Sequence, residues 1–166
     1  MSAVLTLAVA GPVTANHGDP GHLVPFRASI TTHDPPDGSY LPPSCEGGAW
    51  DFATTGSGVV THLGRVAWQQ THCTRVDFQA GEGWVEDGQA IMTAANGDML
   101  VVSYDVTFTF DERYSYLTIQ SWEVTGGTGR FAGATGSGTG VGMGDYAVDF
   151  ITHSEWVGSI SYDAAG

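Results

Sequence analysis

Between Gly136 and Gly144 the chain reads GSGTGVGMG, with a glycine at every second position. No other feature restricts the fold so tightly. Period two is the side-chain repeat of a β-strand, and a helix carrying this many glycines would melt. The preceding GGTGRFAG matches neither the GxGxxG spacing nor the Gly-Lys-Ser/Thr of a phosphate loop, and strand-like sequence follows where a nucleotide fold needs a helix. A flexible linker has no use for the regular alternation of glycine with Val141 and Met143. The segment therefore reads as a strand in a strongly coiled sheet. A short turn before residue 147 would pair Val141 with Val148 and Thr139 with Phe150. Thr139, Val141 and Met143 then point inward and Gly138, Gly140 and Gly142 outward, with Phe131 as an apolar plug for the corner before them.

The rest of the chain supports an all-β reading. From about residue 55 onward, short runs rich in Val, Thr, Trp, Tyr and Phe are separated by turn signals, with no sustained helical period. Strands are expected near 23–33, 54–63, 65–76, 88–95, 98–110, 116–125, 136–143 and 147–162. Asn96-Gly97 suits a tight type I′ hairpin, pairing Thr93 with Leu100, Ile91 with Val102 and Gln89 with Tyr104. The next strand shows one apolar face, running Leu100, Val102, Tyr104, Val106, Phe108, Phe110. A five-residue loop at 111–115 would set Tyr104 opposite Trp122 and Val106 opposite Gln120; a four-residue loop would flip that face. The same parity puts Trp68, Gln70 and His72 inside on one strand and Phe150, Thr152, Ser154 and Trp156 inside on the last.

Eight successive strands with short connections favour an antiparallel up-and-down β-barrel, which removes exposed edges and leaves room for a small ligand. A two-sheet β-sandwich is the alternative. The barrel would occupy residues 23–166 as a single domain, with a Pro-rich loop near 34–48 and Pro25 at an edge or strand start. Residues 1–15, MSAVLTLAVAGPVTA, resemble the apolar core and small-residue cleavage site of a secretory signal without its basic start. Residues 16–22 read as a flexible tail. The expected location is outside the cell, or the cytoplasm if that segment is no signal. Cys45 and Cys73 form an even pair without metal spacing, suited either to a disulfide in an oxidising compartment or to two buried thiols.

Eighteen carboxylates stand against five arginines and no lysine, for a net charge of −13. That balance repels phosphate backbones and anionic lipid, so nucleic acid and membranes are poor partners. No cofactor is implied. His17, Asp19 and His22 are too few for a metal site, and Asp77, Glu82, Glu86 and Asp87 miss the calcium-loop spacing, so no metal is expected. Whether the chain self-associates is left open.

Three blocks, THLGR (61–65), AANGD (94–98) and GGTGRFAGATGSG (126–138), together with WVGSISY (156–162), resemble bacterial proteins with an allene oxide cyclase barrel-like domain, related in fold to plant dirigent proteins. The resemblance spans about residues 55–162 and implies an eight-stranded barrel with a ligand-sized cavity. It implies a ring-closing isomerase or cyclase, allene oxide cyclase-like or spirotetronate cyclase-like, acting on a lipid-like or polyketide substrate. Its motifs are scaffold motifs, and no catalytic residue carries over from them.

Candidate site residues follow from parity. His72 is a candidate general acid or base, and Tyr104 a candidate hydrogen-bond donor to a developing oxyanion; alternatively the two satisfy one another in a packed core. Trp68, Phe108, Gln120, Trp122, Phe150 and Trp156 are expected to line the ligand space. Asp149, His153, Glu155 and Glu123 fall on the outer face, and His62 reads as a turn anchor. Three functions fit: a binder of a small apolar molecule, a cyclase acting on one, or a packed barrel serving as an interaction module through a glycine-bare exterior. Cavity volume separates the last, because a void below roughly 300 Å³ leaves little room for a drug-sized ligand.

Overall fold

In the computed structural model, described for residues 22–33, 45–47, 49–147 and 150–163, every strand is antiparallel to its neighbours. They run β1 (Val24–His33), β2 (Trp50–Val60), β3 (Gly64–Asp77), β4 (Glu82–Ala94), β5 (Met99–Phe110), β6 (Tyr114–Gly127), β7 (Thr135–Asp145) and β8 (Ile151–Ser161). β8 pairs back onto β1 from Val24↔Ile160 to His33↔Ile151, so the sheet closes into an up-and-down barrel and is not a sandwich. Pro25 lies in the part of β1 that pairs with β8, before the ladder to β2 begins at Ala28. Its missing N–H therefore breaks no central ladder. The signal-like residues 1–15, His17, Asp19, the Pro-rich stretch 34–44, Val148 and Asp149 lie outside the described residues.

The glycine strand is turned the opposite way from the sequence expectation. β7 pairs with β8 as Thr139↔Val157, Gly140↔Trp156 and Val141↔Glu155. Residues 146–150 form the connection, a longer one than the expected tight turn, and the parity changes with it. Val141 and Met143 are consequently exposed and the glycines face the core. A Cβ on Gly138 would stand 2.7 Å from the Trp122 indole, and one on Gly140 would stand 2.8 Å from Ile119 Cδ1. Gly158 on β8 faces the same indole, at 2.5 Å. An eight-stranded barrel is only just wide enough for its own side chains, so small residues on one wall make room for large ones on another. The glycines are the space that Trp122 and Ile119 occupy.

Two other registers also differ. In the β4–β5 hairpin, Gly97 donates to Ala94 O (2.9 Å) with φ +90°, and Ala94 donates to Asp98 O (2.9 Å). Asn96 keeps a negative φ, so this is a three-residue loop rather than a type I′ turn. The pairs become Thr93↔Met99, Met92↔Leu100 and Ala90↔Val102, which puts Ala90, Met92 and Ala94 inside. Between β5 and β6, Phe110↔Ser115 is the register of a four-residue loop, yet Tyr104↔Trp122 is the register of a five-residue one. A bulge reconciles them, so Ile119 faces Val106 and Gln120 is displaced outward, where its Nε2 donates to Thr107 Oγ1 (3.2 Å).

One end of the barrel is solid. Phe131, in the 3-10 turn Gly129–Phe131, is fully buried and packs against Tyr162 at 4.9 Å. Above it lie Phe26, Leu100, Val60 and Ile160, then Trp122, whose Nε1–H is shared between Thr139 O (3.3 Å) and Val157 O (3.2 Å). The three sequence blocks meet at this end. Arg130 donates from its guanidinium to His62 O and faces Asp98 at 3.6 Å, while Thr128 and Met99 exchange two hydrogen bonds. His62 also places Nε2 3.0 Å from Pro25 O, anchoring the β2–β3 turn. These motifs therefore seal this end of the barrel.

Candidate functional site

The interior opens toward the end where β1 finishes at His33 and β8 begins at Ile151. There the wall encloses about 160 Å³. Trp156, buried and packed at a 59° tilt against Trp68 with ring centroids 5.3 Å apart, forms its inner boundary. Its Nε1–H donates to Ser154 Oγ (2.9 Å), as Trp68 Nε1–H donates to Gln70 Oε1 (2.8 Å). Both buried indoles are thus satisfied by side chains two residues away on their own strand faces.

The chamber has two unlike sides. Val85, Val106, Phe108, Leu117 and Ile119 from β4–β6 form an apolar wall. Thr32, Gln70, Thr74, Thr152 and Ser154 from β1, β3 and β8 form a polar one. Beside Gln70, Thr54 is 3 % exposed, and its Oγ1 has no hydrogen-bond partner among the described residues. The hydroxyl and amide groups of this wall offer hydrogen bonds to an oxygen-bearing guest or to ordered water.

His72 and Tyr104 stand between the two walls. The His72 ring places Nδ1 2.8 Å from Tyr104 OH, stacks on Phe52 (5.4 Å, 23°), and meets the edge of Tyr104. Tyr104 in turn packs edge-on to Trp156 at 5.4 Å. Burial lowers the His72 pKa from 6.5 to about 4 and pushes the Tyr104 phenol up. At neutral pH the pair is therefore uncharged, one donor and one acceptor in a low-dielectric wall.

The pair depends on a glycine that the sequence pattern did not single out. His72 is on β3 and Tyr104 on β5, with β4 between them. β4 bulges at Glu86–Asp87, where Asp87 adopts φ +53°, and Gly88 pairs with Tyr104. A Cβ on Gly88 would stand 2.4 Å from Tyr104 O and 2.6 Å from its ring. Gly88 thus leaves the Tyr104 ring the room from which it reaches His72.

Of the other expected lining residues, Trp156 and Phe108 border the chamber, whereas Trp68 and Trp122 lie in the solid part of the core. Gln120 is outside, for the bulge already described. Phe150 is half-exposed in the β7–β8 connection with φ +49° and packs on Tyr146 at 5.8 Å, because β8 starts only at Ile151. Phe52 joins the site because β2 begins four residues earlier than expected, and Phe52-Thr54-Gly56-Gly58-Val60 continues its inward alternation. Thr32, Thr74 and Ser115 were invisible as site residues because threonine and serine suit either face of a strand.

Cys45 and Cys73 form a disulfide. Arg75, two residues further on, donates to Glu46 O (3.1 Å), Gly47 O (3.0 Å) and Glu86 Oε2 (2.9 Å), fastening residues 45–47 to β3 and β4. The acidic stretch is structural: Asp77 caps the β3–β4 turn through Gln79 N and Ala80 N. His153 and Glu155 are on the outer face, hydrogen-bonded to Thr31 and Ser29 respectively, and Glu123 is exposed there too. Among the described residues no group of three or more His, Cys, Asp or Glu side chains is placed to hold a metal ion. No family model, curated protein or solved structure matches the chain.

Proposed function

We propose that the barrel binds one small neutral molecule, apolar on one side and bearing a hydroxyl or carbonyl oxygen on the other. The division of the chamber into a Val85–Val106–Leu117–Ile119 wall and a Thr32–Gln70–Thr152–Ser154 wall carries this reading. The guest that suits it is therefore more polar than a purely apolar one. Size restricts it further. About 160 Å³ is well short of the roughly 300 Å³ of a drug-sized pocket. It matches the roughly 150 Å³ void that takes up a single benzene ring. A carboxylate or ammonium guest would be penalised by desolvation beside an uncharged His72–Tyr104 pair. The Cys45–Cys73 disulfide supports an oxidising, extracytoplasmic setting for this binder.

A second reading rests on that same pair. His72 Nε2 as acceptor and Tyr104 OH as donor would steer a ring closure of the kind the allene oxide cyclase resemblance implies, by holding a reactive fold and stabilising developing oxygen charge. A fatty-acid or polyketide substrate exceeds the chamber several-fold, so only its closing end would enter. Binding without turnover needs no such extension, and we favour it.

Calorimetric titration with phenol and with benzene tests the proposal. Phenol should bind about fivefold or more tightly, the worth of one hydrogen bond to the polar wall. Leu117→Trp, which fills the chamber from its apolar side, should abolish both. Equal affinity for the two probes, or binding that survives Leu117→Trp, would reject it.

A further inference from the structure

The outer surface of β4–β6 carries a second concavity, of about 450 Å³, which shares only Phe108 and Leu117 with the chamber. Its two rows are Trp84–Thr107–Thr118 and Glu82–Thr109–Tyr116, read across the three strands. Trp84 and Tyr116 thus stand at opposite corners, about 12 Å apart along the diagonal of two strand spacings and two residues. Both are exposed, at 41 % and 49 %, in a protein whose other large aromatics on these strands point inward or into the turns. Between them lie three threonine hydroxyls.

Trp84 is held in place. Its Nε1–H donates to Glu86 Oε1 (2.9 Å), and the other carboxylate oxygen of Glu86 accepts from Arg75 Nε (2.9 Å). The indole is therefore fixed before anything binds, and ordering it on binding costs little entropy. Arg75 is committed to Glu86 and to the carbonyls of Glu46 and Gly47. Glu82 offers acceptors only. Such a site disfavours anions and offers no counter-charge to attract them.

Aromatic faces at a fixed spacing, a hydroxyl floor and a carboxylate acceptor suit a neutral ring with C–H groups on its faces and hydroxyls around its edge. We propose that the β4–β6 outer face binds a neutral saccharide, with sugar C–H faces on Trp84 and Tyr116 and sugar hydroxyls toward Thr107, Thr109 and Glu82. A flat apolar contact with another protein would want a dry floor, and this one is lined with threonines.

The test uses three neutral probes, maltotriose, cellotriose and triacetylchitotriose, titrated against the whole chain by calorimetry and tryptophan fluorescence. At least one should bind. Trp84→Ala and Tyr116→Ala should each weaken it about tenfold, equivalent to roughly 1.4 kcal/mol. Trp84→Phe should keep most of the affinity while losing the fluorescence response, which separates loss of stacking from loss of fold. Binding by none of the three probes, unchanged affinity in Trp84→Ala, or competition by phenol would overturn the proposal. So would self-association that Trp84→Ala abolishes without any sugar binding, which would assign the face to a protein contact.

Discussion

The imidazole Nδ1 of His72 lies 2.8 Å from the Tyr104 hydroxyl although a whole strand, β4, runs between them. Gly88 makes this geometry accessible. A methyl group there would stand 2.6 Å from the Tyr104 ring, closer than real Cβ contacts come. Gly88→Ala should therefore cost about 2 kcal/mol, a typical overpacking penalty, and separate the two side chains. Urea denaturation reads the first effect and the His72 ring resonances read the second. A stable variant with unchanged His72 resonances would show that Gly88 is not the spacer.

Burial gives stability a specific pH dependence. The His72 pKa is held at about 4 in the folded chain against an ordinary 6.5, so between those values the unfolded chain binds a proton that the folded chain excludes. Stability consequently rises with pH across this window. The contribution is complete above the unfolded value and fades as pH falls toward the folded one, on the order of 3 kcal/mol in all. Asp111 and Asp145 are also held below the ordinary carboxylate range, by backbone N–H donors and by Arg113 respectively, and titrate lower still. His72→Gln should flatten the wild-type decline between about pH 6.5 and pH 4.5 while leaving the steeper loss below it. An identical decline in both proteins would place the titration elsewhere.

The inward glycines predict an unusual mutational order. Gly140→Ala would bring a Cβ within 2.5 Å of Glu155 O and 2.8 Å of Ile119 Cδ1. It should destabilise by about 2 kcal/mol or more. Val141→Ala, one residue on and 60 % exposed, should stay within about 0.5 kcal/mol. Thermal melts of the two variants read the order directly. The reverse order would restore the glycines to the outer face.

Reducing the Cys45–Cys73 disulfide, or replacing both cysteines with serine, should cost about 3 kcal/mol, as expected for closing a loop of this length. Denaturation with and without reductant measures it. Phe52, which follows the fastened residues 45–47, should then lose its stacking on His72.

All eight strands were legible in the sequence, because period-two alternation in Leu100–Val106 and in Thr152–Trp156 is written in single residues. The inner face of β5 and the positions of Trp68, His72 and Trp156 followed from it. Register was not legible. It depends on loop lengths and on bulges, and a shift of one residue turns a strand over. Asn96-Gly97 formed a three-residue loop and moved β4 by one, the 146–150 connection turned β7, and a bulge ejected Gln120. The glycine strand misled for a further reason: an absent side chain does not say which neighbour fills its space. Trp122 does, and it is distant in sequence. The His72–Tyr104 contact was one of the readings parity offered and is present, but its enabling residue, a glycine on a third strand, escaped the pattern in the same way.

The central claim is that the chamber between His72 and Trp156 admits a ring-sized neutral guest. The most direct measurement is a phenol titration followed through the ring resonances of His72 and, as an outer-surface control, His153. The account predicts a saturable shift at His72, none at His153, and no shift at His72 in Leu117→Trp. Resonances of His72 that stay fixed to saturating phenol, or that move together with His153, would contradict it.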